Sequence, residues 1–270
     1  MLYIVATPIG NLEDITLRAL RVLKEVDMIA AEDTRHTRKL LTHFDIKTRL
    51  VSFHEHSSAE KRIAILDALR DGLHVALVSD AGTPLISDPG AVLVREAMEQ
   101  GLPVTTLPGP CAAIAAMTLT GWGGPFLFVG FLSKKGAERK AQIQSIASSD
   151  VPCIVYESPH ALHDTLTAFC EAMGNERTIT VCKELTKLHE AVFNGTMVEA
   201  ADMFSGEVKG EYVLVVSAKR PEETGEVDDN AILSEIEAFI AAGMTKKDAA
   251  KAASEKLGIS KNRAYRLSLS

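Results

Sequence analysis

Short apolar runs alternate with helix-like segments through the first 120 residues, and this pattern limits the fold more than any other feature of the sequence. The runs fall at residues 2–5, 27–31, 49–53, 74–79 and 104–107, with helical periodicity between most of them. Strands that are joined through helices run parallel, and a parallel sheet is covered on both faces. We therefore expect an N-terminal α/β domain over residues 1–120 with a mostly parallel sheet.

The stretch from 120 to 125 (TGWGGP) is the richest in chain breakers, and the pattern restarts after it. Close spacing of the apolar runs at 178–182, 190–194 and 211–217 predicts antiparallel pairing, and so a second α/β domain with a mixed sheet over residues 121–219. An acidic, linker-like segment follows at 220–229. Two or three short amphipathic helices between 232 and 267 predict a small helical domain over residues 228–270.

Three loops of the first half follow strands and are rich in turn residues, at 6–11, 79–90 and 108–113. Ligands of open α/β sheets bind beyond the carboxyl ends of strands, so these loops predict a ligand cleft. The sequence has no GxGxxG, GxxxxGK[ST], GxSxG or HExxH motif, which argues against dinucleotide, P-loop, serine-hydrolase and zincin chemistry. Pro8 also removes a backbone N–H from the first loop, which disfavours a phosphate cradle.

Two histidines flank a carboxylate at His54, Glu55 and His56. In an extended segment both imidazoles would share one face, as metal ligands require. No third ligand is placed by the spacing, so we expect no metal site.

Charge and composition favour a cytoplasmic protein without a membrane segment. The chain has 46% hydrophobic residues, but no apolar run approaches about 20 residues, and its N-terminus predicts a strand, not a signal peptide. Four scattered cysteines form no CxxC pair, which is typical of a reducing compartment. The net charge of −7 argues against general attraction to nucleic acid, whereas residues 245–270 carry seven Lys/Arg against two Asp/Glu. An ordinary solvated helical surface would explain that local excess equally well.

Several sequence runs resemble those of the ribosomal RNA small subunit methyltransferase I family (16S rRNA cytidine 2′-O-methyltransferases) within the tetrapyrrole-methylase superfamily. The longest are LYIVATPIGNLED at 2–14, AEDTRHT at 31–37, LVSDAGTPLISDPG at 77–90 and LPGPCAA at 107–113. Shorter ones are GFL at 130–132, YESPH at 156–160, KELTK at 183–187 and KGEYVLV at 209–215. Ser57, Ser133 and Ala161 depart from the usual residues of that family.

The resemblance implies two α/β domains of tetrapyrrole-methylase type with S-adenosylmethionine in the cleft between them, a small C-terminal helical domain, and a homodimer. Carried over by motif, the cofactor contacts would be Pro8, Ser79, Asp80, Ala81, Ile86, Cys111, Ala112, Glu157 and Leu185. The acceptor would be a cytidine ribose of 16S rRNA in the small ribosomal subunit.

A ribose hydroxyl is a poor nucleophile, so a nearby base would help, and the candidates are Glu184, Lys183 and Glu157, in that order. RNA contacts would come from the basic residues Arg35, Arg38, Lys134, Lys135, Lys246, Lys247, Lys261, Arg263 and Arg266. Two alternatives remain, a precorrin-type C-methyltransferase and a non-catalytic RNA-binding protein on the same fold. The basic C-terminal segment favours an RNA substrate over a small macrocycle.

Overall fold

The first predicted sheet consists of five parallel strands: β1 (Leu2–Val5), β2 (Met28–Ala31), β3 (Arg49–Ser52), β4 (Val75–Val78) and β5 (Val104–Leu107). Their order is β3-β2-β4-β1-β5. This computed structural model describes residues 1–54, 57–219, 229–257, 259 and 261–268. Strands β2 and β4 are buried at every position, as expected for strands covered on both faces.

Four helices cover the two faces of this sheet: α1 (Leu17–Glu25), α2 (Thr34–His43), α3 (Ala59–Arg70) and α4 (Ala91–Glu99). The side chains of alternate residues in β2 point to opposite faces of the sheet. Ile29 and Ala31 pack with α1 and α2, whereas Met28 and Ala30 pack with α3 and α4. All the carboxyl ends of the strands therefore emerge at one edge, where the loops predicted to bind a ligand follow β1, β4 and β5.

The second sheet is mixed, as predicted. It contains β6 (Leu127–Phe131), β7 (Cys153–Glu157), β8 (Thr178–Lys183), β9 (Ala191–Thr196) and β10 (Tyr212–Val216), in the order β6-β7-β10-β8-β9. Only the β6–β7 pair is parallel. The helices of this half are α6 (Gly136–Ser148), α7 (Leu162–Met173) and α8 (Met197–Met203).

Helix α5 (Ala112–Leu119) links the two sheets. The expected boundary at residue 120 assigns it to the first domain, yet Ala116 and Met117 pack against Ile154, Val213 and Val215 of the second sheet. Both sheets belong to one compact unit, Met1–Ala218.

Two helix starts differ from what the sequence predicts, which is a cap residue followed by proline at the first helical position: Asp88 and Pro89 for α4, and Ser158 and Pro159 for α7. Asp88 and Pro89 do not open α4, because Gly90 is its N-cap with φ of 123°. Ser158 does not cap α7, because Ala161 donates its N–H to the Ser158 carbonyl in a turn (3.2 Å) that precedes the helix. Both differences leave a longer loop beyond a strand end.

The second compact unit, Lys219–Ser270, contains α9 (Asp229–Ala241), α10 (Lys246–Leu257) and α11 (Lys261–Leu267), within the predicted helical range. Ile232 and Ile236 of α9 pack against Ala249 and Ala253 of α10. Of the predicted linker at 220–229, residues 220–228 lie outside the described residues, and Asp229 begins α9. Among the residues described, no helix has the length and apolar character that crossing a membrane requires.

Candidate active site

A cavity of about 390 Å³ opens between the carboxyl edge of the first sheet and the second sheet. We call it the central cavity. Its volume is within the range of about 300–1,000 Å³ that is typical of small-molecule sites. The first sheet contributes the loops after β1, β2, β4 and β5, and the second contributes the ends of β6, β7 and β8 and the start of β10.

Two hydrogen bonds and one close backbone approach hold the sheets together around this cavity. Asn11 donates its N–H to Thr186 Oγ1 (3.1 Å), and Ala113 donates its N–H to Tyr156 Oη (3.1 Å). At Gly10 an added Cβ would lie 2.4 Å from the Cγ of Lys187. A side chain at this position would therefore separate the loops that form one wall of the cavity.

The loop at 79–90 is fixed to both neighbouring loops. Thr7 and Gly82 exchange two backbone hydrogen bonds (2.9 and 3.0 Å), and Thr83 donates its hydroxyl to the Pro110 carbonyl (2.9 Å). Leu85 and Ser87 have φ of 73° and 67°, in the left-handed region. Strained non-glycine backbone of this kind is stored at functional sites when the surrounding structure holds it.

Five carboxylates line the central cavity: Glu32, Asp80, Asp88, Glu157 and Glu211. Asp80 accepts the Asp33 N–H (3.0 Å). The pKa of Asp88 is raised to about 7, chiefly by burial and then by the negative charge of Glu32, while a hydrogen bond with Ser79 acts in the opposite direction. This carboxyl group therefore titrates near neutral pH.

Aromatic side chains form another part of the wall. Tyr156 makes edge-to-face contacts with Phe128 and Phe131, with ring centroids 5.1 and 5.5 Å apart. Burial raises the pKa of the Tyr156 phenol, so it stays neutral and accepts the Ala113 N–H. Phe131 is 58% exposed although it lines the cavity, so it offers an aromatic surface at the opening.

Of the three predicted bases, only Glu157 lines the central cavity. Its two carboxylate oxygens accept the Ser158 N–H (2.8 Å) and the Thr165 hydroxyl (2.6 Å), and Arg139 in turn donates to Thr165 (2.7 Å). These hydrogen bonds tie the Glu157 carboxylate to the loop after β7 and to α7.

The other two candidate bases are not among the described residues that line the central cavity. Lys183 is the last residue of β8 and is half-buried, and its neighbour Cys182 lines the cavity. Glu184 accepts hydrogen bonds from Lys187 Nζ (2.8 Å) and the Glu211 N–H (2.9 Å). The hydrogen bond from Lys187 holds the pKa of Glu184 below its ordinary value.

The structure brings together seven of the nine residues that were predicted to bind the cofactor. Those lining the central cavity are Asp80, Ala81, Ile86, Cys111, Ala112, Glu157 and Leu185. Pro8 and Ser79 line an adjoining cavity of about 370 Å³, which shares Asp80 and Ala81 with the first. Their assignment as cofactor contacts remains a prediction.

Sequence reasoning did not select Glu32, Asp88, Phe131 or Tyr156 as site residues, although each lines the central cavity. The sequence did point to these residues, because all four lie in the runs that carry the family resemblance. Which side chain of such a run faces the cavity depends on the loop conformation, and the sequence does not specify that.

The predicted RNA-contact residues fall in three places. Lys134 and Lys135 are exposed in the loop after β6, three and four residues beyond Phe131. Arg35 and Arg38 are exposed on α2, and Arg35 pairs with Asp33 (2.7 Å). The C-terminal unit carries the remaining five, of which Arg263 pairs with Asp229 (2.8 Å), while the others are exposed: Lys246, Lys247, Lys261 and Arg266.

The predicted metal alternative was centred on His54, Glu55 and His56, of which Glu55 and His56 lie outside the described residues. Within the part of the chain that the structure describes, no three His, Cys, Asp or Glu side chains cluster as metal ligands would. All four cysteines are free.

Comparison with known proteins shows which family has this architecture. Residues 1–201 match the family described as Tetrapyrrole (Corrin/Porphyrin) Methylases. The Ribosomal RNA small subunit methyltransferase I of Synechocystis sp. is 43% identical, over 100% of this chain and 97% of that protein. The protein of the same name from Bacillus subtilis is 41% identical, over 98% of this chain and 92% of its own length.

The chain belongs to the ribosomal RNA small subunit methyltransferase I family. Solved structures agree in fold. Cobalt precorrin-4 methyltransferase has a TM-score of 0.61 at 17% identity, covering 79% of this chain and 93% of its own. Uroporphyrin-III C-methyltransferase from Thermus thermophilus, complexed with S-adenosylhomocysteine, has a TM-score of 0.57 at 18% identity, covering 80% of this chain and 96% of its own. The resemblance inferred from the sequence runs is thus confirmed for family and fold.

Methyltransferases of this family use S-adenosylmethionine, and the central cavity has the chemistry to accept such a molecule. Ile9, Ile86 and Leu185 offer apolar surface for a purine or a thioether chain, and Asp80 offers a carboxylate for hydroxyl or ammonium groups. Small residues at Ala81 and Ala112 leave backbone accessible from the cavity.

Proposed function

We propose that this chain transfers a methyl group from S-adenosylmethionine to the ribose 2′-hydroxyl of a cytidine in 16S rRNA, within the small ribosomal subunit and in the cytoplasm. The observation that carries the proposal is the full-length match to rRNA methyltransferases, which includes every loop of the central cavity. The cytidine 2′-hydroxyl as acceptor is supported by the family resemblance of those loops.

When bound, the cofactor supplies an electrophilic methyl group on a positively charged sulfur. The residues of this chain would then act by orientation and by exclusion of water. Ile9, Ile86 and Leu185 make part of the wall apolar, and a dry, shaped cavity that aligns the reacting oxygen with the methyl carbon supplies much of the effect. Asp80, held by the Asp33 N–H, is suited to fix the polar end of the cofactor.

Substrate contacts would begin at the cavity opening. Phe131 offers an exposed ring on which a base can stack, and Lys134 and Lys135 follow in the same loop to contact phosphates. Gln142 and Arg139 of α6 bind the backbone N–H and carbonyl of Ser133 (2.8 and 3.4 Å). The basic pair therefore extends from a fixed point. With a net charge of −7, the protein must obtain selectivity from such local contacts and from RNA shape.

The decisive assay supplies radiolabelled S-adenosylmethionine with three acceptors: assembled small subunits, naked 16S rRNA, and subunits carrying a 2′-deoxy target nucleotide. We expect transfer to assembled subunits, little to naked RNA, and none to the deoxy substrate. Transfer that survives 2′-deoxy substitution would show that a base is methylated. Equal transfer to naked RNA would remove the role of subunit shape. Methylation of a tetrapyrrole in place of RNA would favour the alternative activity.

The proposal includes a homodimer, supported by exposed apolar side chains on α5 and at the start of the edge strand β6. Ile114 and Leu119 are 50% and 42% exposed, and Phe126 and Leu127 are 37% and 41% exposed. We expect light scattering to give twice the chain mass of 29.1 kDa. Ile114→Lys should shift the mass toward one chain, whereas Leu17→Lys on α1 should not. A wild-type monomer at micromolar concentration would contradict this part of the proposal.

A further inference from the structure

A second cavity of about 420 Å³ adjoins the central cavity, on the side of α3 and α4. We call it the flanking cavity. Glu32, Ser87 and Asp88 line both cavities and so form the wall that the two share. A group on this wall can contact a molecule in either cavity. The two cavities thus provide neighbouring spaces of small-molecule size with two carboxylates between them.

The flanking cavity has the mixed lining that a nucleoside needs. Its polar lining residues include His54, Ser57 and Arg62, and Glu96 holds the Arg62 guanidinium group in place (2.9 Å), while Phe53, buried in the core beside α3 and α4, lines it as well. Enzymes that modify a nucleotide in folded RNA or DNA take it out of the stack and hold it in a pocket by ring contacts and hydrogen bonds to its edges. A base in this cavity would leave its ribose at the shared wall.

We propose that the flanking cavity receives the acceptor nucleoside and that Asp88 is the catalytic base that accepts the proton of its 2′-hydroxyl. This inference rests on the proposed function, because it assumes a ribose hydroxyl as the acceptor. Asp88 is in neither the sequence-derived set of bases nor the set of cofactor contacts. Its place in the reaction follows from its position on the wall between the two cavities.

The other carboxylates near the central cavity are less suited to the task. Glu32 shares the wall, but its negative charge raises the pKa of Asp88, so Asp88 is the one that holds the proton more tightly. Glu211 is ion-paired to Lys187 (3.0 Å). Asp80 is oriented by the Asp33 N–H, and both oxygens of Glu157 are occupied by hydrogen bonds from the chain. Glu184 is ion-paired to Lys187 (2.8 Å) outside the cavity. Asp88 has a raised pKa of about 7 because burial disfavours its charged form, so it binds a proton more tightly than an ordinary carboxylate. A general base works best when its pKa lies near the working pH.

Groups on several elements face Asp88 and set its titration. Glu32, after β2, raises the pKa of Asp88 through its charge, and Asp80, after β4, does so more weakly. Tyr156, at the end of β7, stays neutral. On the side of the flanking cavity stand His54 and Arg62, with Arg62 neutralised by its pairing to Glu96. Glu32 is therefore the group whose removal should change the Asp88 pKa most.

The step balances as a single displacement. The 2′-oxygen forms a bond to the methyl carbon while its proton passes to an Asp88 carboxylate oxygen. The electron pair of the broken carbon–sulfur bond remains on sulfur, which leaves as a neutral thioether. Asp88 begins as a carboxylate and ends as a carboxylic acid, and it returns its proton to water after the products leave.

The test combines a titration with kinetics on the full chain. Carbon-13 NMR of protein labelled at aspartate carboxyl carbons, without cofactor, should show one resonance that titrates near 7 and disappears in Asp88→Asn. In Glu32→Gln that resonance should titrate at lower pH. Single-turnover methylation of small subunits by the wild type should rise with pH through the same value, and the rise should move to lower pH in Glu32→Gln.

Asp88→Asn should lower the single-turnover rate about 100-fold or more, which is the usual contribution of a general base, and should abolish this rise with pH. Its affinity for S-adenosylhomocysteine by calorimetry should stay close to that of the wild type. Asp150→Asn, at an exposed position in the loop after α6, is the matched control and should change neither the rate nor the pH profile.

Retention of the wild-type rate and pH profile in Asp88→Asn would overturn the inference. If that variant fails to fold, an unmoved pH profile in Glu32→Gln, together with an unmoved aspartate titration, would overturn it equally. Failure of the proposed function gives a different result, because the wild type would then methylate the 2′-deoxy substrate or no RNA at all.

Discussion

At the scale of single residues, Gly10 is where the loop after β1 meets the loop after β8. A Cβ at Gly10 would meet Lys187 Cγ at 2.4 Å and the Leu185 carbonyl oxygen at 3.0 Å. Gly10→Ala should therefore separate the loops, lower the free energy of unfolding by about 1–3 kcal/mol, as overpacking usually does, and weaken S-adenosylhomocysteine binding. Calorimetry and thermal melting measure both effects. Gly123→Ala is the control, because nothing lies within 4 Å of its added Cβ. Equal behaviour of the two variants would contradict the prediction.

The raised pKa of Asp88 should also make the stability of the folded chain depend on pH. Its folded-state pKa of about 7 lies above the ordinary carboxyl value, so the folded chain holds this proton more tightly than the unfolded chain does. The bound proton stabilises the folded chain most at a pH below about 4, the ordinary pKa of an aspartate side chain. This stabilisation is lost as the pH rises to about 7, the pKa in the folded chain. Relative to wild type, Asp88→Asn should therefore gain melting temperature between pH 5 and pH 8. A difference between the two proteins that does not vary with pH would show that Asp88 titrates normally.

At the scale of secondary-structure elements, one buried arginine joins a helix end to a strand end. Arg177 precedes β8 and donates to the carbonyls of Ala147 (2.6 Å) and Ile146 (3.3 Å) in α6, and to that of Ser217 beyond β10 (2.7 Å). It is only 7% exposed, so its loss leaves buried carbonyls without donors.

Arg177→Met should therefore lower the free energy of unfolding by about 2–4 kcal/mol, since hydrogen bonds from charged groups contribute about 1.5–3 kcal/mol each but are not additive. S-adenosylhomocysteine binding should persist below the melting temperature, because Arg177 lies outside the described lining of the central cavity. Denaturant unfolding and calorimetry measure the two effects. Arg21→Met, which removes an exposed i,i+4 pair with Glu25, is the control and should change stability by less than about 1 kcal/mol. A similar small change in Arg177→Met would show that water replaces its hydrogen bonds.

The strands were predictable from sequence because their apolar runs report burial directly. The missed elements depend on weaker signals. Helix α8 begins with a capping box between Thr196 and Glu199, a spacing that is readable in the sequence but was hidden by the strand-like run before it. The starts of α4 and α7 were wrong because Pro89 and Pro159 fit a first helical turn as well as they fit a loop, and only tertiary contacts decide between the two.

The candidate site was predictable as a set of loops, but the direction of each side chain was not. Asp80 and Glu157 face the central cavity, as the motifs suggested. Glu184 does not line it, because Glu184 adopts φ of 51° and its carboxylate binds Lys187 and the Glu211 N–H. Asp88 escaped selection because the helix start expected there would have made it an N-cap.

At the scale of the whole molecule, the two compact units divide charge unevenly. Residues 219–270 carry nine Lys/Arg and nine Asp/Glu, which sum to zero, whereas residues 245–270 carry seven and two. Basic residues of α10 are exposed, including Lys246, Lys247 and Lys251. Deleting the unit removes acids as well as bases, so a charge-only variant is needed beside the deletion. All the described residues that line the central cavity lie before Lys219, so we expect cofactor binding to persist without the unit.

A chain that ends at Ala218 should therefore bind S-adenosylhomocysteine with unchanged affinity and bind small subunits more weakly. In the full chain, replacing Lys246, Lys247 and Lys251 by Gln should reduce the slope of log affinity against log salt by about 2 to 3, because each neutralised phosphate contributes about 0.7–0.9. Replacement of the exposed Lys24, Lys47 and Lys209 by Gln removes the same charge from the first unit and should leave the slope nearly unchanged. Equal slopes for wild type and the α10 variant would mean that these lysines contact no phosphate and that the C-terminal helices serve a structural role.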